Sequence, residues 1–130
     1  DLLGGYNYVV QPPDIPKDKL PKQIPDQVQD FHGKKVELRG FMLPIEVKED
    51  GQVKLFFLMR DLASCCFGGY PKMNEWVLIK VPKTCKTKYS GYAPISVTGV
   101  ISIGEELEIG RVTSIYRLNA LSVRKMDEGS

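Results

Sequence analysis

Nine consecutive residues, Ser64-Cys65-Cys66-Phe67-Gly68-Gly69-Tyr70-Pro71-Lys72, hold the chain's one concentration of reactive chemistry. A disulfide between neighbours such as Cys65 and Cys66 closes a strained ring, and strained bridges are the labile, redox-responsive kind. As thiolates the pair would select zinc or Cu(I), with Cys85 and His32 as further ligands and Met59 or Met73 nearby. Adjacent cysteines do not match the spacing of about two to four residues found in structural zinc sites. The plainer reading is a tight corner in which Gly68 and Gly69 supply positive backbone dihedrals. One cysteine of the pair is then buried or bridged to Cys85. The candidate bridge, Cys66 to Cys85, closes a loop of about 20 residues and stabilises by about 3 kcal/mol in the chain-entropy model. Three cysteines are an odd number, so one bridge leaves a thiol over. The structural reading ranks above metal binding, and metal binding above a redox-active thiol.

His32 is the single histidine and stands directly before Gly33, where a ring nitrogen suits the end of a helix better than a metal. Ser64, His32 and Asp61 can be written as a catalytic triad on paper, but no Gly-x-Ser-x-Gly elbow, His-Glu-x-x-His pair or phosphate-cradling glycine loop supports catalysis. The residues therefore favour a protein that is not an enzyme. The loop Ser64, Cys65, Cys66, Phe67, Gly68, Gly69, Tyr70 and Lys72 is its candidate ligand or partner surface. No cofactor is expected, with zinc or copper as the alternative.

These residues need a scaffold, and 130 residues make one domain able to bury about two-thirds of its unfolded surface. Lys and Arg number 18 against 16 Asp and Glu, without blocks of one sign, so the sequence offers no broad field for nucleic acid or an anionic membrane. No apolar run approaches the roughly 20 residues of a membrane helix, and the chain opens on Asp1, the expectation being a processed or truncated form whose leader has gone.

Residues 1–23 carry Pro12, Pro13, Pro16 and Pro21 and read as an extended Pro-rich arm lying on the surface or hanging free, although Leu2, Leu3, Tyr6, Tyr8, Val9 and Val10 must pack on something. Ile24, Val28 and Phe31 share a helical face, with Pro25 at the start and Gly33 at the stop, which predicts one short helix over 25–31. Strands are predicted over 35–43, 53–60, 75–81, 94–103 and 111–124, with Glu49-Asp50-Gly51-Gln52 as a hairpin turn. Apolar parity changes after Gly40, from Val36 and Leu38 to Phe41 and Leu43, and becomes two-sided around Gly99. Both patterns predict a bend or bulge, and long bent strands are how a small sheet curls closed. The fold expected is all-β: a five-stranded OB-like barrel over 24–125 with one short N-terminal helix, preceded by the arm and followed by a flexible tail at 126–130.

The segments Gly33-Lys34-Lys35-Val36-Glu37-Leu38-Arg39-Gly40-Phe41-Met42-Leu43-Pro44, Phe57-Leu58-Met59-Arg60-Asp61, Cys65 to Lys72 and Pro94 through Ala120 resemble a family of short exported bacterial proteins that carries a domain-of-unknown-function label. The resemblance spans about residues 24–124 and implies an OB-like barrel in the periplasm or lipid-anchored in the bacterial envelope, with no established activity. In other branches of that family the loop carries one cysteine followed by histidine and prolines, where this chain has Cys66 and Phe67. The expected function is a non-catalytic exported binding or scaffold module. Its partner would be another envelope protein or a small ligand, not nucleic acid, and it would meet the membrane only through a removed or lipidated leader. The alternatives are an envelope metal-handling protein using zinc or Cu(I) through Cys65 and Cys66, or a thiol redox protein.

Overall fold

Five strands carry the chain: β1 (Lys35–Val47), β2 (Val53–Met59), β3 (Trp76–Lys80), β4 (Ile95–Glu108) and β5 (Arg111–Lys125). The structure is a computed structural model and describes residues 3–6, 8–9, 14–60, 73–89, 93–108 and 111–126. All five predicted strands form, β1 and β4 running farther than predicted. β1 pairs antiparallel with both β2 and β4, β2 with β3, and β4 with β5, while β3 and β5 pair parallel. The sheet therefore closes on itself in the order β1-β2-β3-β5-β4.

The register shows how so few strands can close. Lys35 stands opposite Val100, Val100 opposite Asn119, Asn119 opposite Lys80, Lys80 opposite Leu55, and Leu55 opposite Glu46. One circuit thus returns to β1 far along the strand from where it began. That stagger tilts the strands, and tilt is what a narrow closed sheet requires. The interior is filled by β-branched and aromatic side chains such as Phe56, Ile79, Val97, Ile101 and Tyr116, each at most 1% exposed.

The parity change at Gly40 does not occur on β1. Val36, Leu38, Gly40 and Met42 all face inward, while Leu43, Ile45 and Val47 are exposed on the outside. Gly40 marks a change of partner instead: Gly40 is the last residue opposite β4 and Phe41 the first opposite β2. A face change does occur on β5. Thr98 stands opposite Ser122 and Gly99 opposite Ala120, so Leu121 is the extra residue of a bulge. It is 58% exposed, and the interior row passes from Ala120 to Val123 across it.

The predicted helix forms as a single turn, α1 (Asp26–Gln29), with Pro25 at its N-cap. Ile24 and Val28 are buried beneath it and Phe31 packs against the same core. Gly33 takes the left-handed φ of +79° after it, donating its N–H to the Ile101 carbonyl at 2.8 Å, so the helix exit is stitched to β4. Gly51, at φ +87°, turns the hairpin between β1 and β2, with Asp50 Oδ1 accepting from the Gln52 N–H at 3.0 Å.

Candidate functional site

Because β2 meets β1 only from Phe41 onward, Glu37, Leu38 and Arg39 have ladder partners on the β4 side alone among the described strands, namely Thr98, Val97 and Ser96. The other side of this stretch borders a cleft of about 330 Å³, closed by Leu58–Arg60 at the end of β2, by Asn74–Val77 entering β3, and by Leu3 of the arm. Leu38, Leu58, Met59 and Val77 give it an apolar lining; Glu37, Arg39, Arg60 and Glu75 supply charge. Arg39 pairs with Glu37 at 3.7 Å and Arg124 reaches the same carboxylate at 3.4 Å, both in exposed positions where such pairs contribute little. Trp76 stands beside the Phe57 ring, with centroids 4.6 Å apart and planes tilted by 57°.

Asn74 is the distinctive polar group of this cleft. It is 2% exposed, and its Nδ2 donates to the Tyr6 carbonyl at 2.5 Å, while its Oδ1 has no hydrogen-bond partner among the described residues. A buried amide oxygen without a donor costs about 1–3 kcal/mol. Asn74 can still accept up to two hydrogen bonds at Oδ1 and donate one more from Nδ2.

The arm is held here by a phenol network. Tyr116, on β5 and fully buried, donates its one proton to the Leu3 carbonyl at 2.7 Å, so Tyr6 must be the donor in the 2.5 Å contact between the two hydroxyls. Gln23 clamps the same arm by bonding both the N–H and the carbonyl of Val9 at 2.8 Å. Tyr8 is 4% exposed and belongs to the core. Tyr8 is thus inserted into the core, with Leu3 and Tyr6 packed against it, while Val9 and residues 16–19 of the arm stay exposed. The apolar residues of the first ten positions were the signal for this, although nothing local in sequence pointed to Tyr116 or Asn74 as their receivers.

Burial raises Tyr116, Tyr8 and Tyr6 above the ordinary phenol value of 10.0, and the Glu105 charge adds to this for Tyr8 and Tyr6. The unfolded chain ionises first as pH rises, so the contribution of these phenols is intact below about 10 and is lost above it. Thermal melting from pH about 8 to about 11 should show a steep fall beginning near 10, and Tyr116→Phe should flatten it. An equal slope in the variant would place the alkaline transition elsewhere.

Of the residues singled out in sequence, Ser64, Cys65, Cys66, Phe67, Gly68, Gly69, Tyr70 and Lys72 lie outside the described residues. The chain leaves the described part at Arg60 and re-enters it at Met73, beside the cleft. Cys85 is a free, buried thiol with its Sγ 3.8 Å from Thr87 Oγ1. His32 is exposed at the helix exit, and its Nδ1 accepts the Ile103 N–H at 2.9 Å, joining α1 to β4 instead of capping helix carbonyls. Among the described residues no group of three or more His, Cys, Asp or Glu stands close enough to hold a metal ion.

Comparison with known proteins gives the same fold. The crystal structure of a DUF3299 family protein from Pseudomonas aeruginosa PAO1 superposes with a TM-score of 0.66 at 23% identity, covering 79% of this chain and 68% of that one. A search of the curated proteins finds no match for the chain. A family model described as protein of unknown function (DUF3299) matches residues 14–125, which takes in every strand and the helix, and the chain belongs to that family.

Proposed function

We propose that this chain is a non-catalytic binding module of the bacterial cell envelope, an OB-like β-barrel that receives an extended peptide segment of a partner protein in the cleft beside Asn74. The closed strand order with its strong stagger supports the barrel reading. The resemblance to exported bacterial proteins is what supports the envelope location, and the solved relative is itself bacterial.

The observation that carries the peptide reading is the one-sided edge of β1. Among the described strands, Glu37, Leu38 and Arg39 are paired with β4 alone, and a cleft with an apolar floor runs beside them. An extended peptide brings alternating N–H and carbonyl groups to such an edge, which is strand addition, while its alternate side chains enter the apolar floor. Asn74 Oδ1, buried and unpartnered among the described residues, accepts an N–H from it. No cofactor takes part in this reading.

Selection from a random peptide library displayed on phage tests it. Peptides that bind should share an alternating apolar pattern, and Trp76→Ala, which opens one wall of the cleft, should weaken them by at least tenfold without changing the melting temperature by more than a few degrees. Selected peptides unaffected by Trp76→Ala, or selection of none above background, would contradict the proposal.

A further inference from the structure

The lysines that look evenly dispersed along the sequence are gathered by the fold. The β1–β2 hairpin and residues 86–89 form one corner: Val47 pairs with Val53, the Val53 N–H donates to the Thr87 carbonyl at 2.7 Å, and Gln52 bridges antiparallel to Lys88. Lys80 stands opposite Leu55, and the Val81 N–H donates to the Lys54 carbonyl at 3.0 Å, bringing the end of β3 to the same place. Residues 45–55 and 80–89 carry Lys48, Lys54, Lys80, Lys83, Lys86 and Lys88 against Glu46, Glu49 and Asp50, a net charge of +3, whereas the whole chain carries +2. The rest of the molecule is therefore slightly negative, and the positive field belongs to this corner.

The same corner exposes apolar groups. Ile45, the extra residue of the bulge between Pro44 and Glu46, is 47% exposed, Val47 51% and Tyr89 48%. Along 85–88 the side chains alternate, Cys85 and Thr87 buried, Lys86 and Lys88 outside. Lysines carried on the same strand ends and turns as exposed aliphatic side chains and a tyrosine match the chemistry of a lipid headgroup layer, where anionic phosphates attract the ammonium groups and the apolar tips leave water. A second copy of the chain fits the patch poorly, because it would bring two lysine-rich corners together.

We propose that this corner docks on the surface of an anionic lipid bilayer, with Ile45, Val47 and Tyr89 entering the headgroup layer and the lysines binding phosphates around them. This docking is separate from the peptide cleft and does not depend on it.

The test is sedimentation of the 130-residue chain with vesicles of phosphatidylcholine alone and of phosphatidylcholine with about one part in four phosphatidylglycerol. Binding is expected only to the anionic vesicles and should fall steeply between about 50 mM and about 500 mM salt. Each lysine at such a surface is worth about fivefold in partitioning, so the double variant Lys86→Gln, Lys88→Gln should lose about thirtyfold. The double variant Ile45→Ser, Val47→Ser should also lose at least fivefold, at a melting temperature near that of the parent since both side chains are exposed. Equal partitioning to the two vesicle types would overturn the proposal. So would anionic binding that the lysine variant leaves unchanged, or binding to soluble polyphosphate without binding to vesicles.

Discussion

Gly99→Val is expected to cost about 4 kcal/mol or more, enough to leave much of the chain unfolded at ambient temperature. A Cβ at Gly99 would stand 2.2 Å from the Asn119 carbonyl oxygen and 2.5 Å from Leu118 Cδ2. Leu118 has a side chain that can rotate, but Asn119 offers backbone held in the β4–β5 ladder beside the Leu121 bulge, so relief requires the two strands to separate. Gly40 is next in severity, its Cβ falling 2.4 Å from the Met59 carbonyl oxygen where β1 changes partner. Gly33 is the contrast: among the described residues no atom beyond its chain neighbours lies within 4 Å of its added Cβ, so alanine there carries only the left-handed strain, about 1 kcal/mol. Urea unfolding of the three alanine variants should rank Gly99 above Gly40 above Gly33. Gly99→Ala within 0.5 kcal/mol of the parent, taking about that as ordinary surface variation, would show that the strands yield at the bulge.

Deleting residues 1–10 should leave a folded chain less stable by about 3 kcal/mol, the net of two opposing effects. Losing Tyr8 and parts of Leu3 and Tyr6 removes apolar burial worth several kcal/mol, and Tyr116 and Asn74 lose their arm partners. The freed residues regain backbone entropy, which offsets much of that loss. Leu3 and Trp76 line the same cleft, so Trp76 emission should shift to the red as its surroundings gain water. Unchanged stability and emission would mean that the arm is not docked, and an unfolded chain would mean that the sheet cannot close without it.

The strands were legible because β-branched and aromatic runs are bounded by turn residues, and the helix because Ile24 and Val28 share a face. Gly33 and Gly51 stood at positions whose positive φ glycine serves best. What the sequence concealed are relations across the ladder. Gly40 reads as a parity change because Phe41 and Leu43 are apolar, yet they line the outside while the even-numbered row stays inward. The need for glycine comes from a carbonyl on β2, a contact with no local signature. His32 was placed correctly at a helix exit, but its partner is the Ile103 N–H, seventy-one positions away. The lysine corner is invisible in a sequence that spaces its charges evenly, since it depends on strand ends meeting. Asn74 lacked any local signal that it would be buried with one oxygen left open.

In the proposed function, the cleft beside Asn74 binds an extended peptide along the side of β1 that no described strand pairs. The most direct measurement is the ¹⁵N–¹H spectrum of the chain titrated with a peptide selected for binding. Shifts are expected at the Asn74 side-chain amide, the Trp76 indole and the backbone amides of Glu37, Leu38 and Arg39, with intermolecular contacts from the peptide backbone to that stretch of β1. Shifts confined to the hairpin corner or the outer face of β4 and β5, with these groups unmoved, would contradict it.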